Sequence, residues 1–521
     1  MNFLKRCWQK RWVRGLAWTA VTLVTLYALF CAWVNWSGAR QWRAAQARLK
    51  AEGETLDFRA TLNEPVPEAE NFCAIPLLKD LALLVDHDGG KGAPGANRKR
   101  LEALKLQSKG NAGEVPKVTN AVLGKRTDLK AWADWLRKEG ALPMPADGDG
   151  AREVLAALAT HDALVQELAA GLDRPQAQWT PEWKTKSLPP FLAMVELPHY
   201  ASVQALNSTL ALRAIAAART GDAAKAHETV LIIARLDQAC FNDPFLIGQL
   251  VGAAGTSMLC GATWELCAAH AGTAEDFTKL EFTLANLDLH RAVLRACRSE
   301  MASNVDIVQY FKERPSEIPG LVQMSSSGLQ SQPSGADWLM HLVPGGFFDA
   351  SAALLADLQF RHIIKPLKDG DWPQALTAAH DLENELKAMK PKVWTHPSYI
   401  MAAIIVPATK GILSRCIYSQ ALMNQAVIAC ALERHRIEKR SYPDSLDAVR
   451  LADGKLLPPD PMNGTLRHYR KTLDGRYAMW SVGFDGKDDG GKRVLNEKQP
   501  ENTRFHDATY VGDWVWDFPA E

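Results

Sequence analysis

The residues with the clearest chemical potential form one short run, Asp485-Gly486-Lys487-Asp488-Asp489-Gly490-Gly491. Carboxylates crowded into a flexible turn repel one another unless water or a hard cation separates them, and Ca2+ accepts such oxygens in loose geometry. That chemistry would put a structural calcium on Asp485, Asp488 and Asp489, with main-chain carbonyls such as that of Ser481 completing the shell. The run lacks the Asp-x-Asp-x-Asn/Asp-Gly order and the closing Glu of an EF-hand loop. A solvated turn, in which Asp and Gly simply tolerate positive φ, accounts for the same residues.

Other reactive residues lack a working pattern. His161 and Asp162 adjoin in helical text, where sequence neighbours point to different sides and form no dyad. The 13 histidines show neither H-x-x-x-H nor H-E-x-x-H spacing, and no Gly-x-Ser-x-Gly elbow is present. His435 and His468 read as surface or interface residues. The glycine-rich run at 88–95 lacks the Gly-Lys-Ser/Thr ending of a phosphate loop and reads as a surface loop. Nine cysteines include no C-x-x-C pair, and most sit in apolar helical text as buried free thiols. No catalytic residue is assigned, and a non-enzymatic protein is expected. Sixty Lys plus Arg against 59 Asp plus Glu leave a net charge of +1, which provides no electrostatic footprint for nucleic acid.

The acidic turn needs elements to hold it. Upstream lie the corner Tyr442-Pro443, a helix expected at 444–450 and the turn Asp460-Pro461-Met462-Asn463-Gly464. Residues 466–471 and 476–482 alternate as two strands, joined by the hairpin signal Asp474-Gly475. Residues 511–518 could add an edge strand, and a helix over 408–438 carries an apolar face able to cover the sheet.

In this order the pieces resemble the globular end of a type II secretion major pseudopilin. The resemblance implies a small α+β domain over 395–521 and a Ser-x-Gly-x-Asp-Gly loop, Ser481 onwards, that can hold calcium. It covers about a quarter of the chain. The family's leader, processing site and Phe-Thr-x-x-Glu helix start are not found at the N-terminus, so a borrowed docking domain is expected rather than a polymerising pilin.

The rest of the chain reads as mainly α. Residues 72–390 form an expected helical bundle or solenoid-like ectodomain, with amphipathic helices at 128–138 and 151–171 and dense helix from 198 to 304. Gly221-Asp222 and Gly370-Asp371 end one helix and cap the next, without a sustained 34-residue repeat. A Ser/Pro/Gly-rich stretch at 313–346 is a candidate hinge.

Residues 15–36 carry no charge, and at about 1.5 Å per residue they span roughly 33 Å, enough to cross a hydrocarbon core. Trp12, Trp18, Trp33 and Trp36 fall near its ends as interfacial anchors. The basic tail 1–14, with Lys5, Arg6, Lys10, Arg11 and Arg14, points to a single-pass protein of the cytoplasmic (inner) membrane, N-terminus in the cytoplasm and the bulk outside. Arg40, Arg43, Arg48 and Lys50 on the other side weaken that orientation, and a cleaved signal peptide is the competing reading.

A juxtamembrane helix and a connector with Pro65 and Pro67 would fill 37–71. Gly53-Glu54-Thr55-Leu56 and Pro65-Val66-Pro67-Glu68-Ala69-Glu70-Asn71 resemble a group of membrane-anchored envelope proteins of planctomycetes and verrucomicrobia. That likeness brings no activity with it.

The expected function is a non-enzymatic interaction scaffold in the cell envelope, with protein partners, beside a secretion or pilus-like machine. The runner-up is an extracytoplasmic protein holding a glycan or peptide in a cleft between helical lobes. An envelope hydrolase with a non-local site comes third. A polar cleft would favour the last two, an exposed apolar patch the first.

Overall fold

The computed structural model describes residues 11–79, 81, 96–102, 104, 106, 114–141, 148–179, 184, 197–315, 342–392, 395–406 and 409–519. The glycine-rich run at 88–95, Cys7, the basic residues before Arg11 and most of the 313–346 stretch lie outside them.

The chain is mainly helical. It opens with α1 (Arg11–Ala51), one continuous helix holding both the apolar span and the juxtamembrane segment. A connector then leads to α2 (Leu129–Lys138), α3 (Gly150–Leu158) and α4 (Asp162–Ala169). Five longer helices follow: α5 (Pro198–Arg219), α6 (Ala223–Asn242), α7 (Leu246–Ala268), α8 (Ala274–Ala285) and α9 (Leu289–Glu313). After them come α10 (Gly345–Gln359), α11 (Trp372–Met389), α12 (Ser398–Ile405) and α13 (Thr409–Lys439). Strands β1 (His468–Lys471), β2 (Tyr477–Ser481) and β3 (Trp514–Trp516) close the chain.

Local chemistry sets these boundaries. Asp128, Asp149 and Asp222 each accept a main-chain N–H at the start of α2, α3 and α6, and Thr273 and Asp276 form a reciprocal capping box on α8. Asp371 Oδ1 likewise accepts the N–H of Gln374 (2.9 Å) at the start of α11.

The chain folds into two compact units, each discontinuous in sequence. The first comprises residues 1–60, 301–364 and 381–407. In it α10 runs alongside α1, in the same direction, from Asn35 to Arg48. Asn35 Oδ1 accepts the N–H of Gly346 (2.7 Å), and Arg48 pairs with Asp357 (2.5 Å). The helices touch backbone to backbone: a Cβ on Gly38 would lie 2.0 Å from the Gly346 oxygen. α12 packs on α10, where Ser351 Oγ donates to the Ser398 carbonyl (3.3 Å).

Trp12 and residues 14–33 of α1 are almost entirely exposed, whereas Val34, Ala45 and Leu49 are buried. α7 is also long and apolar enough to cross a membrane, but its apolar window is 67% buried and it is a core helix.

The second unit comprises residues 61–300, 365–380 and 408–521. α5, α6 and α7 pack against one another, α13 lies on α7 and α8, and α13 also covers β2 and β3. The sheet is antiparallel in the order β1-β2-β3, with Met479 opposite both Tyr469 and Trp516. The β1–β2 hairpin turns at Asp474-Gly475, where Gly475 takes φ 80°, a left-handed conformation that glycine adopts without penalty. All five residues of β2 are buried, which a three-stranded sheet achieves only with help from a helix. In place of the helix expected at 444–450, a single 3-10 turn forms at Leu446–Ala448. Pro443 sets the upstream boundary, and Val449 is already extended.

Candidate functional site

The connector that leaves the first helix makes one wall of the site. Asn71 is buried and anchors the connector to residues 176–178: its Oδ1 accepts the Gln178 N–H (2.8 Å) and its Nδ2 donates to the Gln178 carbonyl (2.9 Å). Main-chain bonds from Phe72 N–H to the Gln176 carbonyl (2.7 Å) and from Gln176 N–H to the Glu70 carbonyl (3.0 Å) complete a short parallel bridge. Gln178 Oε1 accepts the Val66 N–H (2.9 Å), so residues 63–66 are held across the second unit.

Beside this wall lies a pocket of about 320 Å3, lined also by the end of α6 and the start of α9. Its chemistry is polar. Asn63, Gln176, Gln178, Gln238, Asn242 and Asn286 contribute carboxamides, and Arg291 and Arg295 contribute guanidiniums. Arg295 donates to Asn63 Oδ1 (3.0 Å) and to the Phe241 carbonyl at the end of α6 (2.6 Å), while its buried Nε has no partner among the described residues. Burial first, and then the neighbouring Arg291 charge, bring Arg295 down to about 10.

Of the two acids at the rim, Glu64 pairs with Lys184, and Asp288 accepts the Arg291 N–H (2.9 Å) as a helix cap. Two guanidiniums one turn apart thus stand near the N-terminal end of α9, where the Asp288 carboxylate offsets the helix dipole and its charge, with that of Asp243, acts on Arg295. Such a lining can bind and orient a polar anion through charge-assisted hydrogen bonds.

A buried cluster braces the floor. His199 Nε2 and Tyr200 OH both meet Asp243 Oδ2 at 2.9 Å, tying α5 to the turn between α6 and α7. Gln249 Nε2 donates to the Asp243 carbonyl (3.1 Å). His199 and Asp243 are 1% and 2% exposed, so this pair positions Asn242 rather than meeting solvent. Burial, and then the Asp243 charge, raise the Tyr200 phenol well above its usual range.

Hydrogen bonds hold the acidic turn near the C-terminus. Asp488 Oδ1 accepts Trp480 Nε1 (2.8 Å) and the Gly490 N–H (2.9 Å), and its Oδ2 lies 3.2 Å from His468 Nδ1. The Trp480 bond is the main reason the Asp488 carboxyl is held below the usual carboxylate range. Asp485 is half-exposed and accepts the Lys487 N–H (3.2 Å). Asp489 contributes its N–H to Asp513 Oδ2 (3.1 Å), which also accepts from Gly491 (2.8 Å) and Lys492 (3.3 Å). Ser481 is buried, and its hydroxyl donates to Asp460 Oδ1 (2.9 Å). Among the described residues no three His, Cys, Asp or Glu side chains are grouped to hold a metal ion.

The remaining expected residues are structural. Asp162 turns away from His161 to Arg213 (3.0 Å), and His468 stacks on Trp480 with ring centres 5.6 Å apart. Tyr442 is buried and donates to Glu433 on α13. Among the described residues eight cysteines are free thiols.

Sequence inspection missed Arg291 and Arg295, although one signal was available: arginines concentrated at the start of a helix whose first turn holds no acid. It also missed Asp513, which lies 21 to 24 residues beyond the main chain it organises. Comparison with protein-family models, curated proteins and solved structures gives no match, so the chemistry of the pocket itself carries the functional assignment.

Proposed function

We propose that this chain is a membrane-anchored binding protein whose second unit holds a small, polar, anionic ligand in the pocket at the start of α9. One observation carries the reading. Arg291 and Arg295 line the same pocket near the start of a helix, among six carboxamides, while Glu64 pairs with Lys184 and Asp288 is held as the helix cap. Carboxamides suit hydroxyl and amide groups, so acidic sugars and short acidic peptides fit this lining better than inorganic ions. The test is calorimetric titration of the detergent-solubilised chain with uronic acids, sugar phosphates and acidic dipeptides. Binding that disappears in Arg291→Ala supports the proposal, and absence of binding across all three classes overturns it.

The anchor belongs to the same proposal. The exposed apolar half of α1 is long enough to span a bilayer, and the basic residues before it favour a cytoplasmic N-terminus with the chain after residue 36 outside. Protease added to spheroplasts should digest that part of the chain. Digestion only after lysis would reverse the orientation.

A docking role beside a secretion or pilus-like system is the second reading, favoured by exposed Leu456, Leu466 and Leu473 in the C-terminal part. Proximity labelling from a fusion after Glu521 tests it, with Leu473→Asp as the variant expected to lose the neighbours.

A structural calcium at 485–491 is an adjunct proposal. Burial is the main reason Asp513 is raised, but the charges of Asp488 and Asp489 add to it, and a cation would relieve that crowding. A rise in Tm with added Ca2+, abolished by Asp488→Asn, would support it. An unchanged Tm removes it.

A further inference from the structure

We propose that the first turn of α10, with residues 342–344, inserts into the same bilayer leaflet that α1 leaves at Trp36, as a second, non-spanning membrane contact. The inference rests on the reading that residues 15–36 cross a bilayer, and it adds a lipid-facing surface to that reading.

Position along α1 carries the argument. Tyr27 OH donates to the Leu342 carbonyl, and Phe30 meets Phe347 with ring centres 6.2 Å apart. Tyr27 lies nine residues before Trp36 in the sequence. At about 1.5 Å per residue its backbone sits roughly 13 Å inside the span. Leu342 lies beside Tyr27 and Phe347 beside Phe30, while Gly346 lies against Val34 to Gly38, so the segment runs from that depth up to the Trp36 boundary.

Their chemistry fits hydrocarbon. Leu342 is 48% exposed and Val343 36% exposed, apolar side chains that water would not favour. Non-helical backbone survives at such depth only when its polar groups find partners within the protein. Tyr27 serves the Leu342 carbonyl and Asn35 serves the Gly346 N–H, so two polar side chains of the uncharged run are used on this segment. Gly38 and Gly346 allow the helix backbones to touch, the small-residue packing that replaces hydrophobic burial where the solvent is lipid.

The rim matches a headgroup layer. Arg40 stacks over Trp36 at 5.6 Å, at the end of the span. Lys312 pairs with Asp349 (2.6 Å) near the start of α10. Aromatic rings paired with cations favour the boundary between hydrocarbon and phosphate.

The test uses the full chain in phosphatidylcholine nanodiscs, with an environment-sensitive fluorescent amino acid placed in turn at Leu342, at Val21 within the span, and at Lys50 beyond it. Lipids carrying a doxyl quencher in the acyl chain and iodide in the buffer report the surroundings. The expected result is acyl-chain quenching at 342 and 21, with iodide quenching several-fold weaker at both than at 50. Acyl-chain quenching at 21 with iodide access at 342 overturns the insertion and leaves the span intact. Iodide access at 21 overturns the span itself, and the insertion with it.

Discussion

The side chain of Asn71 holds both main-chain groups of Gln178, accepting its N–H at 2.8 Å and donating to its carbonyl at 2.9 Å. The two residues are far apart in the chain, and this one carboxamide docks the connector onto the wall of the pocket. Asn71→Ala would leave buried donors and acceptors unmet, at a cost of about 2 kcal/mol. Thermal unfolding should show the loss, and ligand affinity should fall with it because residues 63–66 lose their anchor.

Arg291 is exposed at the pocket rim, so Arg291→Ala should change stability by less than about 0.5 kcal/mol. Affinity for an anionic ligand should drop about tenfold or more, and its salt dependence should weaken. Arg291→Lys should recover part of the affinity but lose the bidentate geometry. Calorimetry at two salt concentrations distinguishes these outcomes.

Asp460 is the buried hub of the C-terminal turn. It accepts from Ser481 Oγ (2.9 Å), Met462 N–H (2.9 Å) and Val482 N–H (3.3 Å), and it lies 3.6 Å from the fully buried Arg467. Asp460→Ala strands that guanidinium and should destabilise the second unit by about 3–5 kcal/mol. Asp460→Asn, which keeps an acceptor, should lose less. Urea titration followed by tryptophan fluorescence measures both.

Burial raises Glu300 on α9 from 4.5 to about 7. The folded chain then holds a proton that the unfolded chain has released. The stability this proton provides is full below about pH 4.5 and is lost as pH rises to about 7. One such group gives a slope of about 1.4 kcal/mol per pH unit within that window. Glu300→Gln should remove this slope, so the variant gains on the parent as pH rises from 5 to 7 and holds a constant lead above it. Parallel unfolding curves across pH 4 to 8 check the sign.

Much of the architecture was legible because it is written in short-range patterns. The uncharged run at 15–36, Asp222 and Asp371 as caps, Asp474-Gly475 between alternating strands and the long helix ending at Lys439 all depend on residues within a few positions of one another. Residues 511–518 left open an edge strand or a tryptophan packed over the sheet, and 514–516 form the strand, where aromatic and β-branched residues suit a pleated, buried surface.

Residue type alone was silent where a side chain found a distant partner. Nothing in the sequence signalled that the Ser481 hydroxyl would donate to Asp460 or that Asp513 would organise the acidic turn.

The sequence by itself determined the helices, their caps, the hairpin and the apolar span, because propensity, periodicity and capping act through neighbouring residues. Only the tertiary structure decided the pocket. Asn63, Gln178, Asn242 and Arg295 come from four separate stretches. They meet because Asn71, Asp243 and Arg295 satisfy buried polar groups across those stretches, and a partner chosen by burial leaves no trace in local spacing.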